Sequence, residues 1–260
     1  SDLSGVSLTT NGWEFFAPQS WRWLNNRRKP FDNPKFRQAI MWALDREAMA
    51  KIAWHGYAKP AMGPLNSSVK FYTEKVTHYK RDLNKAKALI KESGYNGQVL
   101  KLLPMPYGES WMRIAEIIRQ NLMQAGIKVE MVSTDVAGWN SRLNDWDFDM
   151  STTYVFQYGD PALGVARNYI SSQIAKGSPF NNVEGYSNPK VDALFEAGAR
   201  EVDPAKRAVI YEEVQKLLVE EVPVAWLHEI KFPTLYRSKV SNLISSGIGL
   251  NDSFAYAKVK

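Results

Sequence analysis

A strand-like run is followed directly by a short segment of aromatic and polar side chains. The alternation between 148 and 156 predicts a strand, and the residues after it lead into a turn. Ligands of open α/β sheets bind beyond the carboxyl ends of strands, where loops supply polar groups. Aromatic rings offer stacking surfaces there, and a glutamine amide offers neutral hydrogen bonds. We therefore expect a ligand-binding segment that includes Tyr154, Phe156, Gln157, Tyr158 and Asp160.

Two charged residues in this region each have a second interpretation. Asp160 precedes Pro161, which is typical of a turn residue as well as of a ligand contact. Arg167 can bind a ligand carboxylate through two parallel hydrogen bonds, or it can form a structural salt bridge. An enzyme of α/β class is an alternative function, with Asp160 and Asp149 as its acid and base.

Other catalytic and metal-binding patterns are weak. The histidines lie far apart and none has a neighbour at metal-ligand spacing; they are His55, His78 and His228. The acidic residues that alternate between 145 and 149 lack the glycine and the closing glutamate of a calcium loop. The absence of cysteine excludes thiol catalysis and cysteine-ligated metals. The sequence therefore predicts no metal site and no cofactor.

Length and charge limit the remaining function classes. The 260 residues are 45% hydrophobic, which suffices for a well-buried core. The net charge of +6 is modest, and its one basic cluster, at 27–29, is interpreted as a solvated turn. We therefore expect no nucleic-acid partner, and the lack of a long apolar run predicts no direct membrane insertion.

Hydrophobic spacing predicts an α/β fold. A strand at 98–104, a helix at 109–124 and a strand at 128–132 form a crossover unit, whose two strands should be parallel. Helices are also expected from Pro34, from Arg46, at 136–143, near 163–171, at 189–200 and at 204–221, and a strand is expected after Pro223.

Several motifs resemble one known family in their order along the chain. The segment 25–49, NNRRKPFDNPKFRQAIMWALDREAM, resembles a conserved pattern of the family 5 extracellular solute-binding proteins, the ligand-binding components of ABC importers for peptides, nickel and oligosaccharides. RDLNKAKALIKESGY at 81–95 and GYSNPKVDAL at 185–194 resemble two further motifs of that family. The resemblance implies a periplasmic-binding-protein-like lobe with a mixed sheet flanked by helices.

The resemblance also implies a domain organisation and a role. Family members have two lobes that close around a ligand, and this sequence resembles the C-terminal lobe alone. We expect 1–24 to lead from a missing N-terminal lobe, 25–244 to form this lobe, and 245–260 to return toward the other. The implied role is capture of a small solute or oligopeptide for ABC permease subunits, in the periplasm or from a lipid anchor. A sensor or interaction protein that reuses the fold is a further alternative.

Three positions carry over from the family's binding site. Tyr154 matches an aromatic residue that packs on the ligand, and Trp139 matches a tryptophan that often reaches it. Gln157 stands where peptide binders have an aspartate for the ligand's ammonium group. Because glutamine is neutral, the resemblance favours a neutral, anionic or sugar-like solute over a peptide with a free amine.

Overall fold

The computed structural model describes residues 4–260, which form a mixed α/β fold around a six-stranded sheet. The ten strands within these residues are β1 (Val6–Thr9), β2 (Gln19–Leu24), β3 (Ala58–Pro60), β4 (Leu100–Leu103), β5 (Val129–Met131), β6 (Met150–Val155), β7 (Val224–Ile230), β8 (Thr234–Arg237), β9 (Val240–Ser241) and β10 (Lys258–Val259). The order in the main sheet is β3-β7-β2-β6-β4-β5. The predicted α/β class with a mixed sheet is confirmed.

In the described part of the chain, seven α-helices surround the sheet. They are α1 (Pro34–Ala43), α2 (Arg46–Trp54), α3 (Leu83–Glu92), α4 (Glu109–Gln124), α5 (Val136–Asn144), α6 (Pro189–Arg200) and α7 (Pro204–Glu221). Asn33, Asp45 and Asp203 cap α1, α2 and α7 by accepting hydrogen bonds from backbone amides in the first turn. These caps, with proline at the first position of α1 and α7, define the predicted helix starts.

The predicted crossover unit is confirmed as β4-α4-β5, with the two strands parallel. The helix predicted near 163–171 is wrong in type. A π-helical turn at Pro161–Val165 is followed by short 3₁₀ turns at Ala166–Asn168 and Ser171–Gln173. A side chain at Gly164 would lie 2.5 Å from the backbone of Gln157, so only glycine lets this turn pack so closely against the segment that follows β6.

The two ends of the chain pair within it. β1 is antiparallel to β8, and β10 is antiparallel to β9. β2 lies in the centre of the main sheet between β6 and β7, so residues 19–24 pack with the rest of this fold. The division at residues 24 and 244 stays a prediction, and residues 1–3 of its first segment lie outside the described residues.

Helices cover both faces of the main sheet. On one face α1 and α2 contact β7, and Trp111 of α4 stacks on Tyr154 of β6. On the other face Trp23 of β2 packs against Trp139 of α5, and Trp21 packs against Tyr169. Within residues 4–260, no helix combines the length and the apolar character that crossing a bilayer requires.

A buried polar pair links α2 to β7. The guanidinium of Arg46 donates to the backbone carbonyls of Ala61, Tyr79 and Trp226, and burial lowers the Arg46 pKa to about 10. The Nε2 atom of His228 lies 2.8 Å from the Arg46 carbonyl oxygen. Burial lowers the His228 pKa from 6.5 to about 4, so this ring is neutral in the folded protein at pH 7.

The buried ring of His228 should make the protein sensitive to mild acid. Between pH 6.5 and 4 the unfolded chain binds a proton at this residue and the folded chain does not. The contribution of the neutral His228 to the unfolding free energy is therefore fully present above pH 6.5. The unfolding free energy should fall by about 3 kcal/mol as the pH drops to 4. The unfolding free energy, measured by denaturant unfolding at several pH values in this range, should depend less steeply on pH in His228→Gln than in the wild type. His78 is exposed, and His78→Gln should show the same pH dependence of the unfolding free energy as the wild type. An equal pH dependence in all three proteins would contradict the assignment of the acid sensitivity to His228.

Candidate functional site

One edge of the main sheet collects the ends of several strands. β2 is antiparallel to β6 and β7, and β4 is parallel to β5 and β6. The carboxyl ends of β4, β5, β6 and β7 therefore lie at the edge where β2 begins. This edge brings together residues 13–18, 156–161 and 231–232, which are far apart in the sequence.

An aromatic wall occupies this edge; its residues are Trp13, Phe16, Tyr154, Phe156, Tyr158 and Phe232. Phe156 lies at its centre, with ring centroids 5.2 Å from Phe16, 5.6 Å from Tyr154 and 6.3 Å from both Trp13 and Tyr158. All six residues are partly buried, so each keeps some accessible surface. The wall can stack on apolar or aromatic groups of a ligand.

The wall contains three predicted site residues and three that the sequence did not predict. Tyr154, Phe156 and Tyr158 come from the predicted segment. Trp13 and Phe16 precede β2 and Phe232 follows β7, and no local pattern indicates that these segments meet β6. The Trp13 indole donates to the Phe232 carbonyl at 2.8 Å, which holds the two segments together.

Gln157 points away from the wall and is fully buried. Its Oε1 atom accepts from the Asn66 backbone amide at 2.8 Å, and its Nε2 atom donates to the Pro64 carbonyl at 2.7 Å. Both ends of the amide are thus engaged by one loop. The prediction that Gln157 faces a ligand stays a prediction, and these contacts give the residue a structural role.

Asp160 forms a partly buried ion pair with Arg207. Its two carboxylate oxygens lie 2.9 and 3.0 Å from the Arg207 guanidinium of α7, and one also accepts from the Ala162 amide. This contact raises the Arg207 pKa, and Arg207 also donates to the Gly198 carbonyl. Asp160 therefore already has a cation partner and caps the turn that follows it.

Arg167 and Trp139 have contrasting environments. The Arg167 guanidinium lies 5.8 Å from the Tyr158 ring centroid, and it makes no ion pair within residues 4–260. Trp139 is fully buried among Trp23, Tyr107 and Phe180, and its indole donates to the Ser151 hydroxyl at 3.0 Å. Arg167 thus lies beside the wall, whereas Trp139 lies in the core on the opposite face of the sheet.

The alternative acid–base pair is wrong. Asp149 precedes β6 and accepts from Arg28 and from the Lys101 amide, whereas Asp160 lies beyond the other end of the strand. A strand of six residues spans about 20 Å, too far for two groups to act on one bond. In the part of the chain that the structure describes, no three acidic or histidine residues are grouped as metal ligands.

The basic cluster at 27–29, predicted to be a solvated turn, lies in the segment between β2 and α1. The Arg27 guanidinium lies 3.8 Å from the Trp146 ring centroid, and Arg28 pairs with Asp147 and Asp149 at 3.2 and 3.0 Å. Two of the three charges are therefore used in packing and ion pairs.

A cavity of about 400 Å³ lies beside the aromatic wall and was not predicted. Its lining includes Trp13 from the wall, together with Tyr57, Lys59, Ser67 and Glu229. These residues come from four separate parts of the chain. The pairing of β3 with β7 and the loop after β3 bring Lys59, Ser67 and Glu229 together.

Comparisons with known proteins agree with the fold. The family model of bacterial extracellular solute-binding proteins, family 5, matches residues 19–176. The glutathione-binding protein GsiB of Pectobacterium atrosepticum is 31% identical over 209 residues, which are 78% of this chain and 40% of that protein. The same protein of Escherichia coli K12 is 28% identical over 222 residues, 77% of this chain and 40% of that protein.

Solved structures give the same result for the fold. A dipeptide-binding protein from Pseudoalteromonas in complex with Met-Leu has a TM-score of 0.84 at 22% identity, covering 100% of this chain and 51% of that one. NikZ from Campylobacter jejuni in complex with Ni(L-His) has a TM-score of 0.82 at 19% identity, covering 93% and 50%. The chain spans about 40% of the length of the curated relatives it matches. It belongs to the bacterial extracellular solute-binding proteins, family 5.

Proposed function

We propose that this chain forms one lobe of a periplasmic solute-binding protein that captures its ligand for an ABC importer. The observation that carries the proposal is the aromatic wall, which lies where strand ends meet and where open α/β sheets bind ligands. A second lobe of the same protein would complete the site by hinge closure. Family membership and the coverage of about half of the solved relatives support this organisation.

The proposed partners follow from the same family. They are a small-molecule or oligopeptide ligand, the ABC permease subunits and the N-terminal lobe. The relatives are named for binding different solutes, namely glutathione, a dipeptide and a nickel–histidine complex. The comparisons favour binding over catalysis, and the periplasm, or the cell surface with a lipid anchor, is the proposed location.

The wall favours an apolar or aromatic part of the ligand. The segment 154–161 has a single carboxylate, Asp160, which is paired with Arg207, and Gln157 is neutral. An ammonium group placed against this segment would therefore lack a counter-charge. Arg167 beside Tyr158 is the proposed partner for a ligand carboxylate.

Truncating the centre of the wall should weaken ligand binding. In the full-length protein, Phe156→Ala should reduce the affinity for the co-purifying ligand by about tenfold or more, because a buried aromatic contact contributes about 1.5–3 kcal/mol. The ligand is first identified by mass spectrometry, and affinity is then measured by titration calorimetry.

Phe180→Ala serves as the matched control. Phe180 is 42% exposed on the opposite face of the sheet, where it packs against Trp139. This variant should bind the ligand like the wild type. If Phe180→Ala weakens binding and Phe156→Ala does not, the ligand lies against the α5 side, and the aromatic wall is not its site.

A further inference from the structure

The cavity beside the aromatic wall has a fixed and ordered lining. The Ile230 amide donates to the Pro18 carbonyl at 3.0 Å, and the Lys231 amide donates to the Tyr57 carbonyl at 2.8 Å. Trp13, which lines both the wall and the cavity, is held through its indole. A volume of about 400 Å³ lies within the range of pockets for small ligands. A ligand on the wall can thus extend into the cavity past Trp13.

The carboxylate of Glu229 is a charged group with a fixed position in the lining of this cavity. Its side chain is only 6% exposed, and it accepts from the Ser67 amide at 3.1 Å and the Ser67 hydroxyl at 2.6 Å. Lys59 lies 3.2 Å from the same carboxylate and donates to the Ser67 hydroxyl at 2.8 Å, but its side chain is 57% exposed. Lys231 is exposed as well. Both lysines can turn toward solvent, so the fixed charge of the cavity is negative.

The ion pair between Lys59 and Glu229 is easily exchanged. An ion pair with one exposed partner contributes little to stability, because water solvates the lysine almost as well. A second ammonium group that enters the cavity can therefore take the place of Lys59 at small cost. The aromatic rings of Trp13 and Tyr57, which line the same cavity, favour a cation there.

We propose that this cavity binds a primary ammonium group of the ligand, with Glu229 as its counter-charge and Lys59 as the ion that it displaces. The inference rests on the proposed function, since the ligand reaches the cavity along the aromatic wall. It places the ammonium site at the end of β7, on the other side of Trp13 from the β6 segment. The substrate class is an organic cation with an apolar or aromatic body.

Two probes of equal size test the cavity in the full-length protein. Phenethylammonium carries an aromatic ring and an ammonium group, and 2-phenylethanol carries a hydroxyl in its place. By titration calorimetry the cation should bind about tenfold more tightly than the alcohol, as expected for one charge-assisted hydrogen bond. Glu229→Gln should remove this preference and leave the affinity for the alcohol unchanged.

A second variant does not depend on a buried residue. Lys59→Gln removes the competing cation from a largely exposed position and should tighten the binding of phenethylammonium about threefold. Lys75→Gln is the matched control, because Lys75 is an exposed lysine paired with Glu212 far from the cavity. It should leave the affinity for both probes unchanged.

The outcomes separate this inference from the proposed function. Phe156→Ala should weaken both probes if the aromatic wall binds ligands, whatever Glu229 does. Equal binding of the two probes to the wild type, or a cation preference that survives in folded Glu229→Gln, would overturn the ammonium site alone. Unchanged affinity of Phe156→Ala for the co-purifying ligand and for both probes would overturn the aromatic wall as the ligand site, and with it the observation that carries the proposed function.

Discussion

Replacing Trp139 with alanine is expected to lower the unfolding free energy by about 3–5 kcal/mol, the usual cost of emptying a large aromatic site in a core. Trp139 is fully buried, and its removal also leaves the Ser151 hydroxyl without its donor. Denaturant unfolding of the variant and the wild type measures the difference. The change should be one of stability, while the remaining folded protein binds its ligand with an affinity close to that of the wild type.

The opposite pattern would support the ligand-stacking role that the family resemblance implies for Trp139. In that case the unfolding free energy of Trp139→Ala would lie within about 1 kcal/mol of the wild-type value, and the variant would lose most of its ligand affinity. Trp139→Phe keeps most of the buried volume and gives a milder test of the same point. It should recover much of the lost stability, although the hydrogen bond to Ser151 is absent.

Introducing an acid at residue 157 is expected to destabilise the protein by about 3 kcal/mol at neutral pH. An aspartate at this fully buried position cannot donate to the Pro64 carbonyl, and it places a charge where Gln157 is neutral. The family resemblance implies that peptide binders have an aspartate at this position, so a gain of peptide affinity in Gln157→Asp would support a ligand-facing residue 157. The buried contacts lead us to expect no such gain in a calorimetric titration with dialanine.

The pH dependence separates the effect of the charge from the effect of the shorter side chain. Burial raises the pKa of an introduced carboxyl group, so Gln157→Asp should lose stability as the pH rises from 5 to 8. Gln157→Asn shortens the side chain without a charge, and its stability difference from the wild type should not change over this range. A variant Gln157→Asp that is as stable as Gln157→Asn at pH 8 would argue that residue 157 faces solvent.

Local signals in the sequence predicted much of the secondary structure. The bounds of α4, α6 and α7 agree with the predicted helices. A side-chain cap and a proline mark the starts of α6 and α7, whereas α4 begins after Gly108 and was predicted from its apolar spacing. The crossover of β4 and β5 was predictable for a related reason, since right-handed parallel connections are the rule for such units. The turn after β6 was not, because its shape depends on the contact between Gly164 and Gln157.

The site was only partly predictable because its contacts are long-range. The position of the β6 segment followed from the rule on strand ends, and three of its residues do form part of the aromatic wall. The direction of Gln157 depends on the loop at 64–66, whose bonded amide is 91 residues away. Glu229 and Lys59 become neighbours only through the pairing of β3 with β7, which no local pattern reveals.

Strand periodicity at β6 also limits how relatives of this protein can diverge. Phe156 and Gln157 are consecutive and face opposite sides, one toward Trp13 and the other toward Asn66. Substitution at 156 or 158 would change the rings of the proposed ligand site, whereas Tyr154 also stacks on Trp111 of α4 and contributes to the packing. Inserting or deleting one residue in β6 would exchange the directions in which residues 156 and 157 face. Selection for new solutes should therefore preserve the length of this strand and vary its side chains.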